Sequence, residues 1–458
     1  MSDSISAKDS VVAALASSGR KLVRSPDAVV RWAGDVLQIT TPQSDRTVDT
    51  ESILVLRILG AFTQPTAVAE VAARFPKQDP ADLQALLAEL VAAGVLLDAE
   101  PSAVESVPRP LPALTMPTRF AIGKPISVDL LARERTEGGL VLLGAPCELG
   151  AGGEGGARQG PGLIRSRFPV PAAFGAGAAA GAEVASFLRR SDAGLKSTQV
   201  LDIDGRRSYP LPLRPLFDVG DVSVRLGESL ASFGDRLRQV LRAIFDSGMT
   251  PIMLGGDHSL SAFPLSLLAE SQSAFGIIHF DAHTDLYDSD DPQALNHANF
   301  LLPILAQPSL CRLHQIGLRG WQTVAAKQTQ QRDGRISYVS ARELRRMRPA
   351  EVFAGLRTDI PYYLTFDIDC LTPQLAVETG TKLIGGIEYY DALDLIDYVG
   401  RHFRLLGADF VEVAYRPDSA QWAAQAAAHL LAELLFSLHS PQPLGSYWLT
   451  GLGPTPRR

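Results

Sequence analysis

The chain has 458 residues, with 46% hydrophobic and 20% charged residues. That is ordinary for a globular protein and long enough for two domains, each with its own core. The net charge of −7 argues against a general binder of nucleic acid or anionic membrane. Three widely spaced cysteines, Cys147, Cys311 and Cys370, support neither a disulfide framework nor a thiolate zinc site, so a reducing, cytoplasmic setting is expected. The first residues carry acids and only a short apolar stretch, unlike a signal peptide. No run of 18 apolar residues occurs, so no membrane span is expected.

In chain order, residues 28–40 read as two short strands around Ala33-Gly34-Asp35. DTESILVLRILGAF follows as a helix, with Asp49 or Thr50 as its cap, and AVAEVAARF forms a second after Pro65. A third helix, DPADLQALLAELVAAG, places Leu83, Leu86, Leu87 and Leu90 on one face, with Asp79 as cap, Pro80 in the first turn and Gly94 at the end. Strands, three short helices and a return strand resemble a winged-helix module, and are also similar to PqqD-like domains that bind leader peptides. On that likeness residues 28–98 are a candidate leader-binding part. The plainer alternative is a small packing or dimerisation domain. The expected boundaries are 1–100 for this domain and 101–137 for a linker with six prolines. The main domain is 138–445 and the tail 446–458. FGAGAAAGA, 174–182, reads as an insertion loop.

From about residue 139 apolar strands alternate with helices. The strands are expected at 141–146, 250–256, 275–281, 313–320, 362–369 and 408–414, and the clearest helices at 229–248 and 390–403. Continuously apolar strands separated by helices predict a three-layer α/β/α fold around a mostly parallel sheet, joined to the small N-terminal α+β domain. In such sheets ligand sites lie beyond the carboxyl ends of the strands.

Polar residues gather there. FGIIHFDAHTD ends in Asp281, His283 and Asp285, at alternate positions that share a face in extended chain. Asp367 and Asp369 repeat the device after YYLTF, and His258 follows Gly255-Gly256-Asp257. So much like charge in one place is costly unless cations neutralise it. Oxygen donors with a minority of imidazole suit Mn2+, with Zn2+, Co2+ or Fe2+ as alternatives. Six candidate ligands suit two ions, a pair that lowers the pKa of a shared water.

GGDHS (255–259), DAHTD (281–285) and FDIDCLTP (366–373) resemble the three metal motifs of the ureohydrolase family, the arginases, agmatinases and their relatives. GARQGPGLIR (156–165), DVGDV (218–222), QIGLRG (315–320) and Gly385-Gly386 extend the likeness over about residues 139–440. The resemblance implies two Mn2+ per chain. One would be held by His258, Asp281, Asp285 and Asp367, the other by Asp281, His283, Asp367 and Asp369. Asp281 and Asp367 would bridge, and Asp285 could also orient the attacking group. It implies a proton-shuttle role for His297, a guanidinium-pairing role for Glu412, and release of urea and a primary amine. Relatives form trimers or hexamers, so a homo-oligomer is left open.

The likeness breaks at the substrate rim. Arginases acting on free arginine carry an asparagine two positions after DAHTD and a serine-containing run before the loop histidine. Here Tyr287 and the acidic stretch DSDDPQALN stand there, and Asp288, Asp290 and Asp291 would repel an α-carboxylate. Ala414-Tyr415 also replaces the usual asparagine-proline. The expected substrate is therefore a precursor peptide whose arginine side chains become ornithine, with Tyr287 and Glu412 contacting it. Alternatives are a small guanidine such as agmatine, a guanidino group on a larger metabolite, a formimino group, or a non-catalytic metal-binding regulator.

Overall fold

The computed structural model describes residues 21–98, 114–169 and 199–439 apart from short stretches within them, the longest being 288–294 and 322–332. The chain divides into two compact units. The first comprises 1–114 together with 223–236, and the second 115–222 with 237–458.

In the first unit, β1 (Lys21–Arg24), β2 (Val29–Ala33), β3 (Val36–Thr41) and β4 (Ser44–Thr50) precede β5 (Thr66–Ala67), α1 (Val68–Arg74), α2 (Pro80–Ala92) and β6 (Leu96–Asp98). β1 lies between β5 and β6, and β2, β3 and β4 form an antiparallel meander. β4 runs through Asp49 and Thr50, which pair with Gln38 and Leu37. These two residues are thus strand, and the expected start of the next helix, 51–54, lies outside the described residues. The ends of α2 follow its sequence: the Asp79 side chain accepts from the backbone N–H groups of Ala81 and Asp82, and Gly94 takes φ +69° beyond the end. Leu83, Leu87 and Leu90 are buried with Leu22, Ile39, Phe62 and Val71 in one core.

The second unit is built on a ten-stranded sheet. Two short strands, β7 (Thr115–Met116) and β8 (Lys124–Pro125), both pair with β12 (Leu216–Val222). Part of the proline-bearing stretch is therefore sheet. Between them come β9 (Leu140–Ala145), α3 (Gly160–Ser166) and a separate hairpin of β10 (Gln199–Asp202) with β11 (Arg207–Pro210). β13 (Val224–Arg225) pairs with β2 and so belongs to the first unit. Then follow α4 (Leu230–Asp246), β14 (Thr250–Gly255), α5 (Ala262–Ser271), β15 (Phe275–Phe280), β16 (Leu310–Leu318), β17 (Ile336–Ser340), β18 (Tyr362–Asp367), α6 (Tyr389–His402), β19 (Leu405–Val411) and α7 (Trp422–His439). The main strand order is β17-β16-β15-β18-β19-β14-β9-β12-β7, parallel from β17 to β12.

Period-2 alternation produces the layers. Ile278, Phe280, Leu364 and Phe366 pack in one cluster with Leu395, Ile396 and Val399 of α6 and Leu430, Leu431 and Leu434 of α7. Phe275 and Ile277 join Leu265 and Leu268 of α5, Phe300 and Ile304 in another. Strands buried on both faces read as unbroken apolar runs, which is why β9, β14, β15 and β18 are legible in the sequence. No helix among the described residues is long and apolar enough to cross a membrane. The segments 174–182 and 446–458 lie outside the described residues.

Candidate metal centre

Four neighbouring strands, β15, β18, β19 and β14, end at the same edge of the sheet. The residues just beyond them are Asp281, His283 and Asp285, then Asp369, Glu412, and Asp257 with His258, while Asp367 closes β18 itself. Sequence reasoning expected Asp281, His283 and Asp285 to meet by continued extension. They meet instead by a bend. β15 stops at Phe280, the N–H of His283 donates to Asp281 Oδ1 at 2.6 Å, and Asp285 adopts φ 52°. A non-glycine residue in the left-handed region costs energy that a functional position can justify. Glu412, at φ 62°, is a second such residue.

His258 opens a single 3-10 turn capped by Asp257, whose carboxylate accepts from Ser259 N–H and, at 2.9 Å, from Gly150 N–H. Gly256 must be glycine here: an added Cβ would fall 1.7 Å from the Cys147 carbonyl oxygen. Asp367 caps the matching turn at 368–370, accepting from Asp369 N–H at 2.7 Å.

The side chains converge. His258 Nδ1 lies 3.0 Å from Asp281 Oδ2, 3.1 Å from Asp285 Oδ2 and 3.2 Å from Asp367 Oδ2. His283 Nδ1 lies 3.0 Å from Asp369 Oδ2 and 3.4 Å from Asp281 Oδ1. All six expected metal-ligating residues are thus brought together: His258, Asp281, Asp285, His283 and Asp369 fall in two groups that share Asp281, and Asp367 reaches the first through its 3.2 Å approach to His258. His279, which sequence reasoning left inside the apolar run, joins the first group, its Nε2 lying 3.1 Å from Asp281 Oδ2. Its signal was a polar residue two positions before a site acid on the same strand face.

The electrostatics explain what such a cluster needs. Burial pushes the Asp367 and Asp369 carboxyls up, and the neighbouring carboxylates push them further. Burial would lower the imidazoles, but the surrounding acids outweigh it, raising His258 well above its usual range and His283 to about 12. The group therefore gathers positive charge from any source. Four of its buried atoms have no hydrogen-bond partner: His258 Nδ1, His279 Nε2, Asp281 Oδ2 and Asp285 Oδ2. Orphaned donors of this kind, facing one another, fit a cation.

Glu412 is buried beside the cluster, its Oε1 accepting from His258 N–H at 2.8 Å. Burial, with Asp367 and Asp257 nearby, pushes its carboxyl well up. His297 stands on a half-buried loop, its Nδ1 lying 2.9 Å from Gly150 O and 3.1 Å from Gly152 N. Tyr287 is half-buried and its N–H donates to Ala298 O. Asp288, Asp290 and Asp291 lie outside the described residues. Two of the other motif segments, GARQGPGLIR and DVGDV, are tied to each other. Arg165 and Asp218 form a buried ion pair at 2.9 Å that ties α3 to β12.

Fold and cluster together define an α/β protein with a buried His/Asp group that could hold cations at the carboxyl edge of a parallel sheet. The Arginase family profile matches residues 168–437. Mitochondrial agmatinase of Gallus gallus is 30% identical over 329 residues, 70% of this chain and 88% of that protein. Mitochondrial guanidino acid hydrolase of Homo sapiens is 32% identical over 235 residues, 50% of this chain and 66% of that one. The solved structure of proclavaminate amidino hydrolase from Streptomyces clavuligerus has the same fold, with a TM-score of 0.55 at 22% identity, covering 72% of this chain and 98% of its own. The chain belongs to the arginase family, hydrolases of C–N bonds in linear amidines.

Proposed function

We propose that this protein hydrolyses the guanidino group of arginine side chains within a precursor peptide, releasing urea and leaving ornithine residues. The observation that carries the chemistry is Glu412. It is a buried carboxylate in a strained backbone beside the cluster, and a planar guanidinium is the cation a carboxylate pairs with in bidentate fashion. His258, Asp281, Asp285 and Asp367 would hold one ion, and Asp281, His283, Asp367 and Asp369 a second. Held there, two divalent cations, Mn2+ by the hardness of the donors, would neutralise the carboxylates and lower the pKa of water.

The chain's own groups do the rest. Asp285 orients the attacking water. Glu412 fixes the guanidinium carbon in front of it. As the bond from that carbon to the side-chain nitrogen breaks, His297 delivers a proton to the departing amine. Tyr287 contacts the substrate at the rim. Two features favour a peptide: the acidic sequence 288–291, hostile to a free α-carboxylate, and an N-terminal unit with its own core and, among the described residues, no member of the cluster. Residues 28–98 would hold the leader.

A small guanidine is the second reading, favoured by the 30% identity to an agmatinase. Urea release by the Mn2+-loaded full chain decides between them, measured on agmatine, free arginine and an arginine-containing peptide with and without an N-terminal leader. The proposal expects the leader-bearing peptide to turn over fastest. Agmatine turning over as fast as the peptide would favour the second reading, and rapid urea release from free arginine would sink the argument from the acidic rim.

A further inference from the structure

One row of polar side chains crosses the middle of the sheet just below the cluster. Gln315 of β16, His279 of β15, Thr365 of β18 and Asp409 of β19 are register partners on adjacent strands. All four are fully buried. Polar groups are rarely placed at such depth without hydrogen bonds to satisfy them, and here those bonds decide which imidazole nitrogens carry protons.

Gln315 Nε2 lies 2.8 Å from Thr284 O and 3.1 Å from His279 Nδ1. A carbonyl oxygen only accepts, so the amide must present its NH2 group there, and its second N–H faces His279 Nδ1. His279 Nδ1 is therefore the acceptor, and the ring proton sits on Nε2. On the other side of the cluster, Tyr363 OH and Thr365 Oγ1 donate to the two oxygens of Asp409, at 2.9 and 2.6 Å. With its proton committed, Thr365 Oγ1 accepts from His258 Nε2, 2.8 Å away. That leaves the lone pair of His258 on Nδ1, facing Asp281, Asp285 and Asp367.

We infer that the row assigns opposite tautomers to the two buried histidines, so that His258 ligates a cation and His279 does not. His279 is a positioning residue. Its Nε2, which carries the proton, lies 3.1 Å from Asp281 Oδ2 and 3.7 Å from Asp285 Oδ2. Each carboxylate oxygen has two lone pairs, one for a cation and one for this donor. Distance alone does not separate the roles, because the donor atoms of His258, His279, Asp281 and Asp285 all lie within 4.8 Å of one another. The hydrogen bond at the far nitrogen does.

This inference rests on the cluster holding two divalent ions, and it is tested on the full chain with Mn2+ alone. X-ray absorption of the wild-type protein, loaded with two Mn2+, should show an average of one imidazole per ion. Three imidazoles shared between two ions would overturn the inference while leaving the proposed function intact. Failure of the wild type to bind Mn2+ at all would remove the reading beneath it. His279→Leu should still bind two Mn2+ per chain, with affinity lowered about 10–100-fold, as for other partners of metal ligands. His279→Gln, whose amide N–H reaches the position of Nε2, should recover most of that loss. Unchanged affinity in His279→Leu, loss of one ion per chain, or no recovery in His279→Gln would each overturn it.

Discussion

A carboxylate buried beside other carboxylates, as Glu412 is, keeps its charge only in the company of a cation. Glu412→Gln keeps the shape and an oxygen for the His258 N–H but loses the charge. Removing one partner of a buried charge pair costs about 2–5 kcal/mol. kcat/KM for the guanidine substrate should therefore fall by roughly two orders of magnitude while bound Mn2+ per chain stays the same, which steady-state urea assays and metal analysis check together. Gly152→Ala acts on the other side of the reaction. An added Cβ would lie 2.8 Å from His297 Cε1, so the imidazole must move, and a misplacement of about 1 Å can cost 10²-fold in rate. The variant should lose kcat with little change in KM. The candidate ligands were legible because acids following apolar runs stand out. His279 was marked only by its place two positions before Asp281, and Gln315, Thr365 and Asp409 by nothing until neighbouring strands set them in register with it.

Among the elements, the strands most readily read were those buried on both faces. β12 was recognised only as a motif, since LFDVGDV carries two acids. Asp218 is nonetheless buried, because Arg165 pairs with it, and that partner lies 53 residues away in sequence. β17, at the end of the main strand order and partly exposed, has neither a strong alternation nor a continuous apolar run. Two predictions belong at this scale. Gly256→Ala would drive a Cβ into the Cys147 carbonyl where β14 gives way to the His258 turn, costing about 1–3 kcal/mol or more, measurable by urea denaturation. The second concerns His314 of β16, whose Nδ1 lies 2.7 Å from Ser337 Oγ on β17. Burial, aided by Arg312, pulls its pKa from 6.5 down to about 4. The unfolded chain therefore binds the proton more readily, so the stabilisation is complete above about pH 6.5 and is lost as pH falls towards 4, by about 3 kcal/mol in all. Denaturation midpoints of the wild type should drop across that window, and those of His314→Gln should drop less.

At the scale of the whole molecule, an ion that binds the folded cluster and not the unfolded chain stabilises the fold by mass action. Thermal unfolding of the full chain should shift upward with Mn2+, by about 2.7 kcal/mol at a hundred times the dissociation constant, and a chelator should reverse the shift. A midpoint indifferent to Mn2+ would mean that the buried carboxylates are neutralised in some other way. The α/β/α architecture was legible from the alternation of elements, and the small N-terminal unit from its strands and helices. The membership of 223–236 in that unit was not. Val224 and Arg225 look like any strand residues, and only their pairing with Val30 and Val29 reveals which sheet they complete.

That late strand bears on how the protein is made. β2, β3 and β4 leave the ribosome long before β13 is synthesised, by an interval on the order of ten to thirty seconds at ordinary elongation rates. Until then the edge of β2 that β13 will cover lacks that strand, so the N-terminal sheet is finished only after the second unit's first stretch, 115–222, has been translated.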